Sequence, residues 1–200
     1  MESHKITDPK QKRSIEKRNK IIQSGLETII AHGYHHTTTD DIARAAGVSV
    51  GIVYRYFPDK KAILMEGLNS YFEQMKDGFF SESKNLEESD FSDFLKTTLD
   101  YFLQLHRGHT ALHEELEAMR RLDPDVKELY QRFSKDILEQ VLASLPPELS
   151  AMEHIKEKIL LTIQLMEGYC HFVICTNTSE IDFDYMEKKI LCSIEDICKA

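Results

Sequence analysis

Residues 37–64 decide the fold and read TTTDDIARAAGVSVGIVYRYFPDKKAIL. Two short segments with apolar residues at helical spacing flank the turn at residues 47–49, Gly-Val-Ser. Thr38 is a good N-cap for the first segment, and Asp41 lies three residues on, as in a capping box. Pro58 closes the second segment. Two short helices joined by a tight, glycine-containing turn predict a helix-turn-helix.

The chain around this motif is patterned for helices. An apolar stripe predicts a first helix at residues 12–32, which Gly33 ends because glycine readily takes the left-handed conformation. Residues 77–90 are polar and predict a loop. Further helices are expected at about residues 59–77, 90–106, 109–121, 124–145, 150–176 and 182–199. With no strand pattern, the prediction is an all-α protein of about nine helices.

Charge is distributed unevenly. The net charge is -9, yet residues 1–65 hold 11 Lys and Arg against 7 Asp and Glu, whereas residues 66–200 hold 14 against 27. A basic end on an acidic chain suggests a local surface that binds anions, with chance clustering as the alternative.

Composition indicates a cytoplasmic protein. The first twenty residues are polar and basic, unlike a signal peptide. The most apolar stretch, residues 159–175, is interrupted by Gln164, Glu167 and His171, which predicts no membrane span. The four cysteines lack C-x-x-C spacing, so reduced thiols are expected.

The decisive stretch resembles the DNA-binding domain of the TetR (tetracycline repressor) family. The matching positions are Gly33, Thr37, Thr38, Ile42, Ala43, Ala46, Gly47, Val48, Ser49, Gly51, Tyr54, Tyr56, Phe57, Lys60 and Leu64. The resemblance implies a three-helix DNA-binding domain at residues 1–65 and a helical ligand-binding and dimerisation domain at residues 66–200. It further implies a homodimer that binds a palindromic DNA operator and is released from it, as a repressor would be, by a small lipophilic effector.

The resemblance also assigns candidate DNA contacts. Phosphate contacts are implied for Thr38, Tyr54 and Lys60, and Ser49 can donate to phosphate from the start of its helix. Tyr54 and Tyr56 are expected to project outward while Phe57 packs inward. The positions implied to face bases are Val50, Gly51, Ile52, Arg55 and Tyr56. Basic residues near the amino terminus, including Lys10, either add phosphate contacts or are simply solvated.

The carboxyl-terminal helices carry the dimer and effector predictions. Helix 150–176 has two opposed apolar stripes, which indicates burial on two sides and, with helix 182–199, a four-helix bundle between two subunits. The predicted interface comprises Met152, Ile155, Ile159, Ile163, Met166, Phe183, Met186, Ile190 and Ile194. The effector pocket implied by the resemblance comprises Phe72, Met75, Phe79, Phe94, Tyr101, Phe102, Leu105, Leu116 and Met119, all of which are equally compatible with ordinary core positions.

Other chemistry receives less support from the sequence. A metal site could be formed by His106, His109 and His113, with Glu117 one turn further. Surface or capping roles are favoured for these histidines, and no metal or cofactor is expected. No nucleophile motif or phosphate-binding loop is recognised, so an enzyme is not expected. One alternative stays open, a helical protein that senses a ligand or metal and acts through protein partners without DNA.

Overall fold

The computed structural model describes residues 12–83, 91–108, 110–176 and 178–199. Across these ranges the chain forms ten helices and no strand, which confirms the all-α prediction. The additional helix is the single turn α8, begun by a proline at its first position. The helices are α1 (Lys12–His32), α2 (Thr39–Ala46), α3 (Val50–Tyr56), α4 (Lys60–Ser83), α5 (Phe91–Gly108), α6 (Thr110–Leu122), α7 (Pro124–Ser144), α8 (Pro147–Ser150), α9 (Ile155–Cys175) and α10 (Phe183–Lys199).

The helices form two compact units. The first, called the head unit here, combines Met1–Met75 with Glu114–Lys127. The second, called the body unit, combines Lys76–His113 with Glu128–Ala200. The helices α6 and α7 each contribute residues to both units, so a single cut along the chain does not separate the two units. The functional boundary between residues 65 and 66 stays a prediction.

A small apolar core holds the helix-turn-helix together. Ile42, Ala46, Val53 and Phe57 are buried, and Val48 packs against them. Ile21 of α1 and Ile63 of α4 complete this core. The short helices α2 and α3 are therefore fixed by side chains from longer neighbours.

Two glycines interlock α1 with α4. A Cβ at Gly25 would overlap the Cγ2 methyl of Ile63, and a Cβ at Gly67 would lie 3.2 Å from Cβ of Leu26. Each helix therefore contributes one glycine and receives one side chain of the other. The close approach of Ile63 explains the glycine at position 25 despite its cost in helix propensity.

The body unit is built on α5, α9 and α10. Its core consists of Leu95, Leu99, Leu103, Met166, Tyr169, Cys170 and Ile194. The helix α4 extends through residues 77–83, so the loop predicted from residue 77 is wrong there, and residues 84–90 lie outside the described ranges. Aromatic contacts explain the extension, because Phe79 packs 6.2 Å, centroid to centroid, from both Tyr101 and Phe102.

The outward face of α9 is apolar. Leu161 is 51% exposed and Phe172 is 39% exposed, and Gly168 lies between them on the same face. By length and composition α9 could cross a membrane, and only 17% of its most apolar window is buried inside the chain. The same length and composition are found in a helix of a soluble protein that packs one face into a core and the other against a partner.

Two residues of the predicted dimer interface are placed elsewhere. Met166 and Ile194 are fully buried in the core of the body unit, so they cannot contact a second subunit. The sequence shows two apolar stripes on α9 but not which one faces inward. The residues of α9 that are buried are Met166, Tyr169 and Cys170.

Candidate DNA interface and effector region

The entry to α2 is a complete capping box. The backbone N–H of Asp41 donates to the Thr38 hydroxyl at 3.2 Å, and the N–H of Thr38 donates to an Asp41 carboxylate oxygen at 3.0 Å. The Thr38 hydroxyl also donates to that carboxylate. These hydrogen bonds lower the pKa of Asp41, with a further contribution from Arg44. Thr38 remains exposed, so it can still meet a phosphate at this helix end.

The turn between α2 and α3 depends on Gly47. Its φ of 66° lies in the left-handed region, and its N–H closes the last turn of α2 onto the carbonyls of Ala43 and Arg44. Ser49 then caps α3 with its backbone only, because its side chain makes no capping hydrogen bond. The hydroxyl of Ser49 is exposed at the first turn of the helix predicted to lie against DNA.

The outer surface of α3 carries most of the predicted contacts. Tyr54 is 42% exposed, and Ser49, Gly51 and Arg55 are also exposed. Val50 and Ile52 are half-buried and pack against the core of the helix-turn-helix. These two positions therefore offer DNA less surface than the sequence alone suggested.

Tyr56 does not project outward. It is 5% exposed and belongs to the core that includes Val53 and Phe57. The spacing explains the error, because residues three apart share a helix face and Val53 already points inward. Base contact by the Tyr56 ring is inconsistent with this placement, and its role is packing.

Gly51 is not required by the packing of the chain. A Cβ built there meets no heavy atom within 4 Å among the described residues, and the backbone is helical rather than left-handed. A side chain would fit the free protein, so packing within the described residues does not explain the glycine.

Lys60 is engaged within the chain. Its Nζ donates to the carbonyl oxygens of Tyr34 at 2.6 Å and Thr37 at 2.7 Å, and it lies 4.4 Å from the centroid of the Tyr34 ring. The ammonium thus closes the turn between α1 and α2. Because an ammonium has three N–H groups, phosphate contact stays a prediction for Lys60.

The comparison with known families addresses this same region. Residues 21–66 match the family model described as bacterial regulatory proteins, tetR family. This part of the chain belongs to the tetR family of bacterial regulatory proteins. The match covers the second half of α1, all of α2 and α3, and the first turns of α4, and it includes the predicted DNA contacts.

Named relatives of the chain agree with this assignment. The transcriptional regulator EthR of Mycobacterium tuberculosis is 28% identical over 96 residues, which cover 48% of this chain and 44% of EthR. The chain therefore matches less than half the length of this relative.

A solved structure from Mesorhizobium loti, assigned to the TetR family, has a TM-score of 0.72 at 20% identity and covers 94% of this chain and 97% of that one. FadR of Bacillus subtilis, solved with stearoyl-CoA, has a TM-score of 0.66 at 20% identity over 88% of this chain and 96% of FadR.

The predicted pocket residues fall in both units. Phe72, Met75, Leu116 and Met119 lie in the head unit, whereas Phe79, Phe94, Tyr101, Phe102 and Leu105 lie in the body unit. Phe72, Leu116 and Met119 are buried, and the others are half-buried. Within the body unit, Phe79, Tyr101 and Phe102 form one aromatic cluster. Their role in ligand binding stays a prediction.

Sequence reasoning missed the contacts that tie α6 and α7 to the helix-turn-helix. The N–H of Tyr34 donates to Oε1 of Glu115 at 2.6 Å. Lys61, at the start of α4, pairs with Asp123 at 2.8 Å and Asp125 at 2.6 Å, and these two carboxylates raise the lysine pKa. No local pattern reveals such pairs, because the partners are more than sixty residues apart.

The histidine prediction needs correction. His106 is 1% exposed and is neither a surface nor a capping residue. It lies against His113 and also against His171, a residue that the sequence did not connect with the others. His109 lies outside the described residues, and Glu117 is paired with Arg120 at 2.8 Å instead.

Proposed function

We propose that this chain is a ligand-responsive repressor that binds a palindromic DNA operator as a homodimer. The observation that carries the proposal is the outer surface of α3, where Gly51, Tyr54 and Arg55 are exposed and Ser49 is exposed at the N-cap, while the other side of the helix packs in an apolar core. A helix held by such a core, with small and polar groups outward, suits insertion into a major groove.

The contacts on this surface divide by chemistry. Arg55 is the residue suited to read a guanine edge, a contact worth about 1–3 kcal/mol of discrimination when bidentate. Tyr54, Ser49 and Thr38 carry hydroxyl groups suited to phosphate. Gly51 allows the backbone of α3 to approach the DNA closely. The half-buried Val50 contributes apolar contact at most.

Dimerisation is proposed through the outward face of α9. Leu160, Leu161, Gly168 and Phe172 are exposed along it, and a second copy of the same face would cover them. Together with α10 this makes a four-helix bundle with two helices from each subunit. Such a bundle pairs two recognition helices for half-sites about 34–36 Å apart.

The effector is proposed to be a small lipophilic molecule that binds at the aromatic cluster of the body unit. Phe79, Tyr101 and Phe102 supply apolar faces suited to such a ligand. The helix α6 offers a route to the DNA-binding helices, because Glu115 accepts the hydrogen bond from Tyr34 in the turn before α2. A coupling of about 1–3 kcal/mol changes operator affinity roughly 5–150-fold.

The proposal is tested by selecting operator sequences from a randomised DNA library and measuring affinity across salt concentrations. We expect a palindrome whose half-sites are one helical turn apart, two chains per site, and an affinity that falls steeply with salt because phosphate contacts release counterions. Arg55→Ala should relax the preference at one position of each half-site, whereas Arg44→Ala on the exposed side of α2 serves as the matched charge control. No enrichment of any sequence, even at low salt, would reject the proposal.

A further inference from the structure

Three histidines from three helices meet in the body unit. His106 of α5, His113 of α6 and His171 of α9 each offer a ring nitrogen, and these nitrogens all lie within 4.8 Å of one another. The rings of His106 and His113 stack with centroids 4.2 Å apart, and the His171 ring stands edge-on to both, at 5.1 and 6.0 Å. Imidazole nitrogens are frequent ligands of divalent transition metals, zinc among them.

His106 is held in the tautomer that a metal requires. Its Nδ1 lies 2.8 Å from the carbonyl oxygen of Phe102, so Nδ1 carries the hydrogen and donates it. Nε2 therefore holds a free lone pair. A carbonyl that accepts from one ring nitrogen while the other binds metal is the usual outer-shell arrangement of metal-binding histidines.

The Nε2 atom of His106 lacks a partner. It is buried and has no hydrogen bond in the part of the chain that the structure describes. Buried polar atoms are normally satisfied, so an unsatisfied nitrogen on a ring that packs against two other imidazoles favours a ligand-binding site.

We propose that His106, His113 and His171 form a binding site for a divalent transition-metal ion of the zinc class. Three neutral imidazoles leave one tetrahedral position for water or an exogenous anion. With metal–nitrogen distances of about 2.0–2.1 Å, tetrahedral geometry brings the nitrogens to roughly 3.3 Å from one another. Binding therefore requires the stacked rings of His106 and His113 to open and all three rings to turn toward a common centre.

The metal site goes beyond the proposed function, and its expected effect on the affinity for DNA rests on that function. The helix α6 carries His113 and, two residues later, Glu115, the acceptor of the hydrogen bond from Tyr34. A metal that fixes His113 to α5 and α9 restrains the helix that also holds the turn before α2. We expect metal to change operator affinity as well as to bind.

The test uses the untagged full-length chain, titrated with Zn²⁺ against a chromophoric chelator and with Co²⁺ by absorption spectroscopy. His113→Ala and His171→Ala are the diagnostic variants, because both residues are half-buried, whereas His106 is fully buried and its replacement endangers folding. His36→Ala is the matched control, since His36 is an exposed histidine outside the cluster. Circular dichroism establishes that each variant is folded.

We expect one metal ion per chain in the native protein and in His36→Ala, with affinity at least about tenfold lower in both diagnostic variants. The Co²⁺ spectrum should have the intensity of a four-coordinate site and no sulfur-to-cobalt charge-transfer band. Equal affinity in all variants would overturn the proposal, and so would a charge-transfer band, which would indicate a site at Cys175 or Cys192. The assay contains no DNA, so a failure to bind metal is distinct from a failure to bind an operator.

Discussion

The backbone N–H of Tyr34 donates a 2.6 Å hydrogen bond to Oε1 of Glu115, a residue 81 positions later in the chain. Tyr34 lies in the turn between α1 and α2, and Glu115 lies on α6. The carbonyl of the same Tyr34 accepts from Lys60, so both backbone groups of this residue are held by distant side chains. The turn that precedes the helix-turn-helix is thereby tied to a helix that also enters the body unit.

Replacing Glu115 tests this tie. Glu115→Ala leaves the Tyr34 N–H without its charged acceptor, and we expect the free energy of unfolding to fall by about 1–2 kcal/mol, since both residues are half-buried. Urea denaturation measures the change. Glu114→Ala is the control, because Glu114 is exposed, and it should stay within about 0.5 kcal/mol of the native chain. Equal effects of the two substitutions would contradict the interpretation.

Gly51 and Gly25 should respond oppositely to alanine. Gly51→Ala meets no atom of the described chain, so we expect unchanged or slightly higher thermal stability. Against DNA, the added methyl group should weaken operator binding by about 1–3 kcal/mol, roughly 5–150-fold, as overpacking does. Gly25→Ala overlaps Ile63 and should lower stability instead. Melting curves and operator titrations of both variants separate the two effects, and a destabilised Gly51→Ala would refute the argument.

The α9 face can be tested by charge. Leu161→Glu and Phe172→Glu place carboxylates on the proposed dimer surface, where desolvating an unpaired charge is costly. We expect light scattering after size-exclusion chromatography to give a monomer for both variants. Leu122→Glu is the control, because Leu122 is 74% exposed but lies on α6. Dimers in all three variants would show that the dimer interface does not include this face of α9.

Cys170 should be unreactive in the folded chain. Burial, with a smaller contribution from Glu167, raises the pKa of its thiol to about 12. Because the thiolate is the nucleophile, we expect slow alkylation of Cys170 at pH 8 and faster labelling of Cys192, which is exposed on α10. Peptide mass spectrometry after timed labelling gives both rates. Equal rates would show that the body core opens readily.

The capping box should make stability depend on pH. The pKa of Asp41 is lowered, chiefly by hydrogen bonds from Thr38, so its ionised form is preferred in the folded chain. This contribution is complete above the unfolded pKa of about 3.8 and is lost as the pH falls through the lower folded value. Thermal melts between about pH 6 and pH 3 should therefore be less acid-sensitive in Asp41→Asn. Asp40→Asn is the neighbouring control and should keep the native profile.

Local chemistry made much of the fold predictable. The capping box at Thr38, the left-handed Gly47 and the cap formed by Asp123 before Pro124 act within a few residues, and all three are present. Asp59 likewise accepts a hydrogen bond from the N–H of Ala62 at 2.8 Å at the start of α4. Short-range hydrogen bonds and backbone preferences leave direct traces in a sequence.

Tertiary placement could not be predicted in the same way. Two apolar stripes on α9 were visible, but the core that selects Met166 for burial is supplied by α5 and α10. Tyr56 shares an inward face with Val53, and the core that buries this face includes Ile21 of α1 and Ile63 of α4. His171 joins His106 from 65 positions away, a distance over which spacing carries no information.

The reciprocal fit of Gly25 with Ile63 and of Gly67 with Leu26 has a mechanical consequence. Sliding or rolling of α4 along α1 would drive a side chain into backbone at one contact or the other. We therefore expect α4 and α1 to move together as one rigid body, because side-chain rearrangement at these contacts cannot absorb a displacement of α4. Ile63 belongs to the same core as Val53 of α3, so such a displacement also reaches the helix that is predicted to contact DNA.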